Sequence, residues 1–183
     1  MGKAFRYIQR GDIAVFYMIN DRAKCRALDL IMPAVTHLGG AVVSIGLAAA
    51  ALMLGRAGEL NYGWNYGWNI SISLAFSHLL IHCIKKIVNR PRPNISLSRV
   101  NTFDISLYDY SFPSGHTTAA FSIAASISLI FPQLGIYPFV LAGLVGMSRI
   151  YLGVHYPTDV LIGALIGTAS AFYTNYFLPI IYL

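Results

Sequence analysis

The chain has 183 residues, 56% of them hydrophobic and only 11% charged, with 13 Lys and Arg against 7 Asp and Glu. Soluble domains carry about 25% charged residues, so this composition excludes an ordinary soluble globule and indicates one integral membrane domain over 1–183, built from helices of about 20 residues. The net charge of +6 comes without a basic stripe interleaved with exposed aromatics, which argues against nucleic acid and for anionic head groups or a phosphorylated substrate.

In chain order, residues 3–20 interrupt an apolar stretch with Arg6, Arg10 and Asp12, which predicts an amphipathic helix lying in the interface, with a tilted extra span as the alternative. Its apolar part, Ile13 to Ile19, is too short and too tyrosine-rich for a signal-peptide core, so the segment is expected to be retained. Ile31 to Leu54 is uncharged and rich in Gly and Ala, long enough for a first span. Tyr62 to Ile84 is a second, opened by NYGWNYGWN, whose Trp and Tyr suit an interfacial aromatic belt. Thr117 to Ser148 is uncharged but too long for one helix, and the turn signal FPQLG at Phe131 to Gly135 divides it into two antiparallel helices. Val160 to Leu183 is the last apolar run. The expected fold is therefore an all-α membrane bundle of five helices, or six if the N-terminal helix crosses.

Smaller features have bland and sharp readings. Cys25 and Cys83 have no C-x-x-C spacing and are expected to be small buried residues. His78 and His82, at i and i+4, have a metal-binding spacing, although helix-packing histidines look the same. The pair Gly39 and Gly40 and the G-x-x-x-G at Gly163 to Gly167 permit close helix packing, within one chain or between copies in a homo-oligomer.

Three polar motifs stand out against this background. In KKIVNRPRP, Lys85 and Lys86 fall in the last turn of a helix, where cations complement the dipole, and Pro91 and Pro93 then force an extended chain. Alone it reads more readily as snorkelling basic residues beside a span. In SFPSGHTTAAF a helix is expected to begin within Pro-Ser-Gly-His, so that its free N–H groups form an anion site at Ser114 and Gly115; a plain Ser cap beside a bystander His116 is the alternative. In SRIYLGVHYPTD, Asp159 follows His155 at i+4 and can hold one ring nitrogen, leaving the other as nucleophile or base. Arg149 and Asp159 near hydrocarbon are costly unless they have work to do.

The topology brings the three together. The second span ends at Lys85, the third starts on that same side at PSGH, and the fourth returns there at Ser148. Lys85, Arg92, Arg149 and the amides of Ser114 and Gly115 then surround His116 and His155. Cations and free amides around two imidazoles suit a phosphoryl group, whose transfer is catalysed mainly by positioning and charge stabilisation.

These motifs, K-x6-R-P, P-S-G-H and S-R-x5-H-x3-D, resemble the signature of the type 2 phosphatidic acid phosphatase superfamily, which includes membrane lipid phosphatases and the larger, soluble vanadium haloperoxidases; the apolar runs here argue for the membrane branch. The resemblance implies His155 as nucleophile through a phosphohistidine, Asp159 as its orienting carboxylate, and His116 as acid for the leaving oxygen and base for water. It also implies Lys85, Arg92, Ser114, Gly115 and Arg149 as phosphate-binding residues, no metal, and no cofactor. The expected substrate is a lipid phosphate or diphosphate, with phosphatidate, phosphatidylglycerophosphate, undecaprenyl diphosphate and lipid A types all open. A phosphotransferase with an acceptor other than water, a metal-dependent enzyme and a non-catalytic anion binder are the alternatives. The linker 94–112, with Ile95, Leu97, Val100, Phe103, Ile105 and Leu107, is expected either to lie against the bilayer at the head-group entrance or to pack on helix ends. Of the 13 basic residues, all except Arg56 fall on the motif face, so the positive-inside rule predicts a cytoplasm-facing site in a bacterial inner membrane.

Overall fold

A computed structural model describes residues 3–56, 63–103 and 109–181, and among them it contains helices and no strands. Eight helices follow in order: α1 Lys3–Tyr17, α2 Arg26–Val35, α3 Ala41–Arg56, α4 Gly63–Val88, α5 Pro93–Ser96, α6 Gly115–Ile130, α7 Tyr137–Tyr151 and α8 Pro157–Ile181. Two runs, Tyr66–Ser96 and Pro157–Phe177, are each long and apolar enough to cross a membrane, and α2 with α3 qualifies as a bent pair.

α6 is the central helix, packed against α4, α7 and α8. Its sequence suits that place: Thr117 to Ala120 and Ser122 to Ser126 are all buried, and small side chains let neighbouring backbones come close where no water drives association. The G-x-x-x-G of α8 lies on this helix, since a Cβ on Gly167 would collide with the Thr118 carbonyl. Ser73 on α4 and Ser122 on α6 exchange a hydrogen bond of 2.6 Å between otherwise apolar faces. As expected from FPQLG, α6 and α7 are joined by a short turn containing a 3-10 segment, Pro132–Leu134.

The first expected span, Ile31 to Leu54, needs correction. It is not one helix: α2 passes into a 3-10 turn, Thr36–Gly39, and α3 leaves at an angle of 46°. The bend lies at a tertiary contact. A Cβ at Gly39 would lie 2.5 Å from the His116 carbonyl oxygen and 2.7 Å from Val145 Cγ1, so the chain bends where it presses on α6 and α7. Gly39 and Gly167 both serve packing within the chain.

The expected burial of Cys25 and Cys83 is also wrong, because both are exposed. Lipid and protein core are equally apolar, so hydropathy alone cannot say which one a membrane-helix residue faces. His78 Nδ1 donates a hydrogen bond to the Leu74 carbonyl within its own helix, and among the described residues no group of three metal-ligating side chains gathers. Tyr62 of the aromatic repeat lies outside the described residues, as do Ile105 and Leu107 of the linker. The rest of that linker packs on helix ends, Leu97 and Val100 against Phe16 and Tyr156 and Phe103 against Tyr151, while Ile95 is exposed.

α1 is amphipathic. Tyr7, Ile8 and Val15 are exposed, whereas Asp12 and Phe16 are buried. It docks on the motif-bearing end of the bundle: the Tyr17 hydroxyl donates to the Ser98 carbonyl at 2.6 Å. Just beyond α1, the Asn20 amide donates to the carbonyls of Asn101 and Tyr151 at 2.9 and 2.8 Å.

Candidate active site

Each motif is held by the element that its residue types favour. Lys85 lies in the last turn of α4, and Pro91 and Pro93 disfavour helical backbone at the residues before them, Arg90 and Arg92; Pro93 then opens the short α5. Arg92, extended at φ −74° and ψ 154°, folds back under the bundle and is 2% exposed. Ser114 is the residue before α6. Arg149 lies in the last turn of α7, the turn after it carries His155, and Asp159 sits in the first turn of α8.

The three motifs meet. Arg92 Nη1 donates to the Val154 carbonyl at 2.9 Å and lies 3.1 Å from His155 Nε2. Arginine has no acceptor, so Nε2 must offer its lone pair, and a neutral ring then carries its proton on Nδ1. His155 is 2% exposed. Burial first, and then the charges of Arg149, Arg92 and Lys85, push its pKa well below the usual imidazole value, against a weaker opposing effect from the Ser111 backbone. This histidine is a buried neutral imidazole with its lone pair turned toward cations, the form a nucleophile requires.

Asp159 is beside Nδ1 but does not grip it. Their separation of 3.6 Å exceeds hydrogen-bond reach, and Nδ1 has no partner of ordinary hydrogen-bond geometry. The carboxylate is already engaged: Oδ2 accepts from the Tyr156 N–H at 2.8 Å and Oδ1 from Arg90 Nη1 at 2.7 Å. The expected direct Asp159 to His155 hydrogen bond is therefore a looser electrostatic contact.

The helix start differs in part from expectation. The Ser114 N–H is spent on the Asp159 carbonyl at 3.0 Å, and its hydroxyl pairs with Thr117 Oγ1 at 2.9 Å. Around Gly115 there is room, since a Cβ there would meet only Ile81 Cδ1, at 3.6 Å. His116 is half-buried in the first turn of α6. Arg149 Nη1 donates to Thr36 Oγ1 at 2.7 Å, and its Nε is buried without a hydrogen-bond partner. Such a donor is the kind that a bound anion satisfies.

Several residues of the site escaped the sequence reading. Asp109, from the linker, accepts from both Lys85 and Arg92. Partial burial works against its charge, yet those two cations hold its pKa down to about 2. Arg90 lies two residues before Arg92, and its Nη2 reaches Asp12 on α1 at 2.6 Å. Its guanidinium carbon stacks 3.8 Å from the centre of the Tyr156 ring. The available signal was scarcity: with 7 acidic residues in the chain, a carboxylate inside an apolar segment asks for a partner.

The family of proteins that shares this arrangement can be identified. Residues 66–181 match the model of the PAP2 superfamily. The chain belongs to the PAP2 superfamily. That is the family which the three motifs resemble, and the match contains all of them. Among its PAP2 relatives, the bacitracin transport permease protein BcrC of Bacillus licheniformis is 44% identical over 88 residues, 48% of this chain and 43% of that protein. Lipid A 1-phosphatase of Rhizobium etli is 33% identical over 96 residues, 50% of this chain and 41% of that protein. The chain thus spans less than half the length of these two curated relatives. Solved structures match more of it. The crystal structure of Aquifex aeolicus LpxE has 32% identity and a TM-score of 0.79 over 90% of this chain and 94% of its own. A transmembrane PAP2 type phosphatidylglycerolphosphate phosphatase from Bacillus subtilis has 27% identity and a TM-score of 0.78 over 96% and 88%.

Proposed function

We propose that this chain is a membrane-embedded phosphatase that hydrolyses a lipid phosphate or lipid diphosphate through a phosphohistidine. The observation that carries the proposal is His155, buried and neutral, with Nε2 presented to Arg92. The names of the relatives, which include lipid A 1-phosphatase and undecaprenyl-diphosphatase, support a lipid phosphate as the substrate class.

In this reading the phosphate displaces Asp109 from Lys85 and Arg92, and Arg149 contributes its spare Nε. The Nε2 lone pair of His155 forms a P–N bond while the P–O bond to the lipid breaks, and His116, an imidazolium once the anionic phosphate is bound beside it, gives its proton to the departing oxygen. Water then attacks phosphorus, His116 takes its proton, and the P–N bond breaks to return the electron pair to Nε2. Phosphate leaves and both histidines are as they began. The cations and the open space at Gly115 stabilise the charge on the phosphoryl oxygens in both steps.

We further propose five spans: α2 with α3 as one broken span, then α4, α6, α7 and α8. The docking of α1 on the motif end supports an interfacial helix. It also keeps the basic residues of α1 on that side, which supports a cytoplasm-facing site in a bacterial inner membrane.

The test is release of inorganic phosphate from a panel of lipid phosphates and diphosphates by detergent-purified protein with EDTA present, beside His155→Ala and His116→Ala. Release by the wild type that disappears in both variants is expected. Activity surviving in His155→Ala, or needing an added divalent ion, would sink the histidine mechanism.

A further inference from the structure

Arg90 is not one of the residues assigned to the phosphate. It faces away from it, toward two carboxylates on different helices: Nη1 donates to Asp159 at 2.7 Å and Nη2 to Asp12 at 2.6 Å. Both carboxylates are buried, with side chains 0% and 1% exposed. Asp12 also accepts from the Thr158 N–H at 2.9 Å and from the Thr158 hydroxyl at 2.6 Å, so it caps the first turn of α8 from outside. The Tyr156 ring holds the guanidinium plane in place. Asp12 lies on α1, outside the residues that match the family model.

The group bears on His155 through Asp159, the carboxylate 3.6 Å from His155 Nδ1. Arg90 is held between Asp12 and Asp159, so Asp12 fixes the guanidinium that in turn fixes the Asp159 carboxylate. When Nε2 bonds to phosphorus the ring becomes cationic, and stabilisation by that carboxylate that appears only then speeds the step. We infer that Asp12 is a positioning residue for His155, acting through Arg90 to keep the Asp159 carboxylate oriented. This rests on the histidine mechanism proposed above.

The experiment compares orthovanadate with inorganic phosphate as ligands of the detergent-purified protein, by calorimetry, so that no lipid substrate is needed. Vanadate can bond to Nε2 in a five-coordinate adduct resembling the transition state, whereas phosphate reads only the ground-state site. Asp12→Asn is expected to weaken vanadate about tenfold, within the usual coupling range of groups in one charge network, and to leave phosphate binding within about twofold. Tyr17→Phe, which removes another fastening of α1, is expected to change neither. In an Arg90→Gln background, Asp12→Asn is expected to have no further effect.

Vanadate affinity unchanged in Asp12→Asn, an equal loss of both anions, the same loss in Tyr17→Phe, or multiplying effects of the Asp12 and Arg90 variants would each overturn the inference. If Asp12→Asn does not fold, Arg90→Lys carries the test, because one ammonium cannot bridge both carboxylates; the same split between the anions is expected, and its absence overturns the inference. Vanadate binding that persists in His155→Ala, or none in the wild type, defeats the histidine mechanism and this inference with it. Failure confined to Asp12→Asn defeats the inference alone.

Discussion

Asp109→Asn should tighten the binding of inorganic phosphate. In the free protein, the carboxylate of Asp109 bridges Lys85 and Arg92, so an arriving phosphate must displace it. Its carboxyl is held at about 2 in place of 3.8, which corresponds to about 2.5 kcal/mol favouring the charged form in that position. The side chain is 54% exposed, and solvent screening cuts an interaction of this kind to about 1 kcal/mol. At about 1.4 kcal/mol per decade, the neutral amide should lower the inhibition constant for phosphate about fivefold. The assay is competitive inhibition of lipid phosphate hydrolysis by inorganic phosphate, at fixed ionic strength, with Asp109→Glu as the control that restores the charge. An unchanged or weaker inhibition by phosphate in Asp109→Asn would refute the reasoning. Asp109 would then be part of the phosphate site and no competitor for it.

Other expectations follow from the same geometry. Because burial and the neighbouring cations depress the His155 pKa, the ring stays neutral as pH falls through 6.5, and kcat/KM corrected for substrate titration should show no acid limb there. The same shift makes the unfolded chain bind the proton first. Stability in detergent should therefore decline as pH drops below 6.5, and less so in His155→Ala. Gly39→Ala drives a Cβ against the His116 carbonyl and should cost about 1 to 3 kcal/mol of stability together with a fall in kcat; a wild-type melting temperature would contradict the close packing. Arg149→Lys loses the fork that serves Thr36 and the unpartnered Nε, since an ammonium cannot replace a guanidinium geometry, and should raise the phosphate inhibition constant about tenfold; unchanged inhibition would show that the Nε does not meet the anion.

The sequence by itself determined the membrane class, the positions of most helices and the three motifs, because these depend on local quantities. Uncharged runs define helices, FPQLG breaks one, and the alternation of sides brings Lys85, Ser114 and His155 to one end without any knowledge of packing. Contacts between residues far apart decided the rest. Where α2 and α3 bend, α6 and α7 press so close to Gly39 that no side chain fits there. Cys83 faces outward, which its sequence does not signal because nothing in the hydropathy of an apolar helix distinguishes lipid from protein. Asp159 answers to Arg90 and the Tyr156 amide more than to His155, and Arg90 in turn answers to Asp12, which lies near the other end of the sequence. Hydropathy records how strongly a residue avoids water; which buried charge meets which is set only when the helices close.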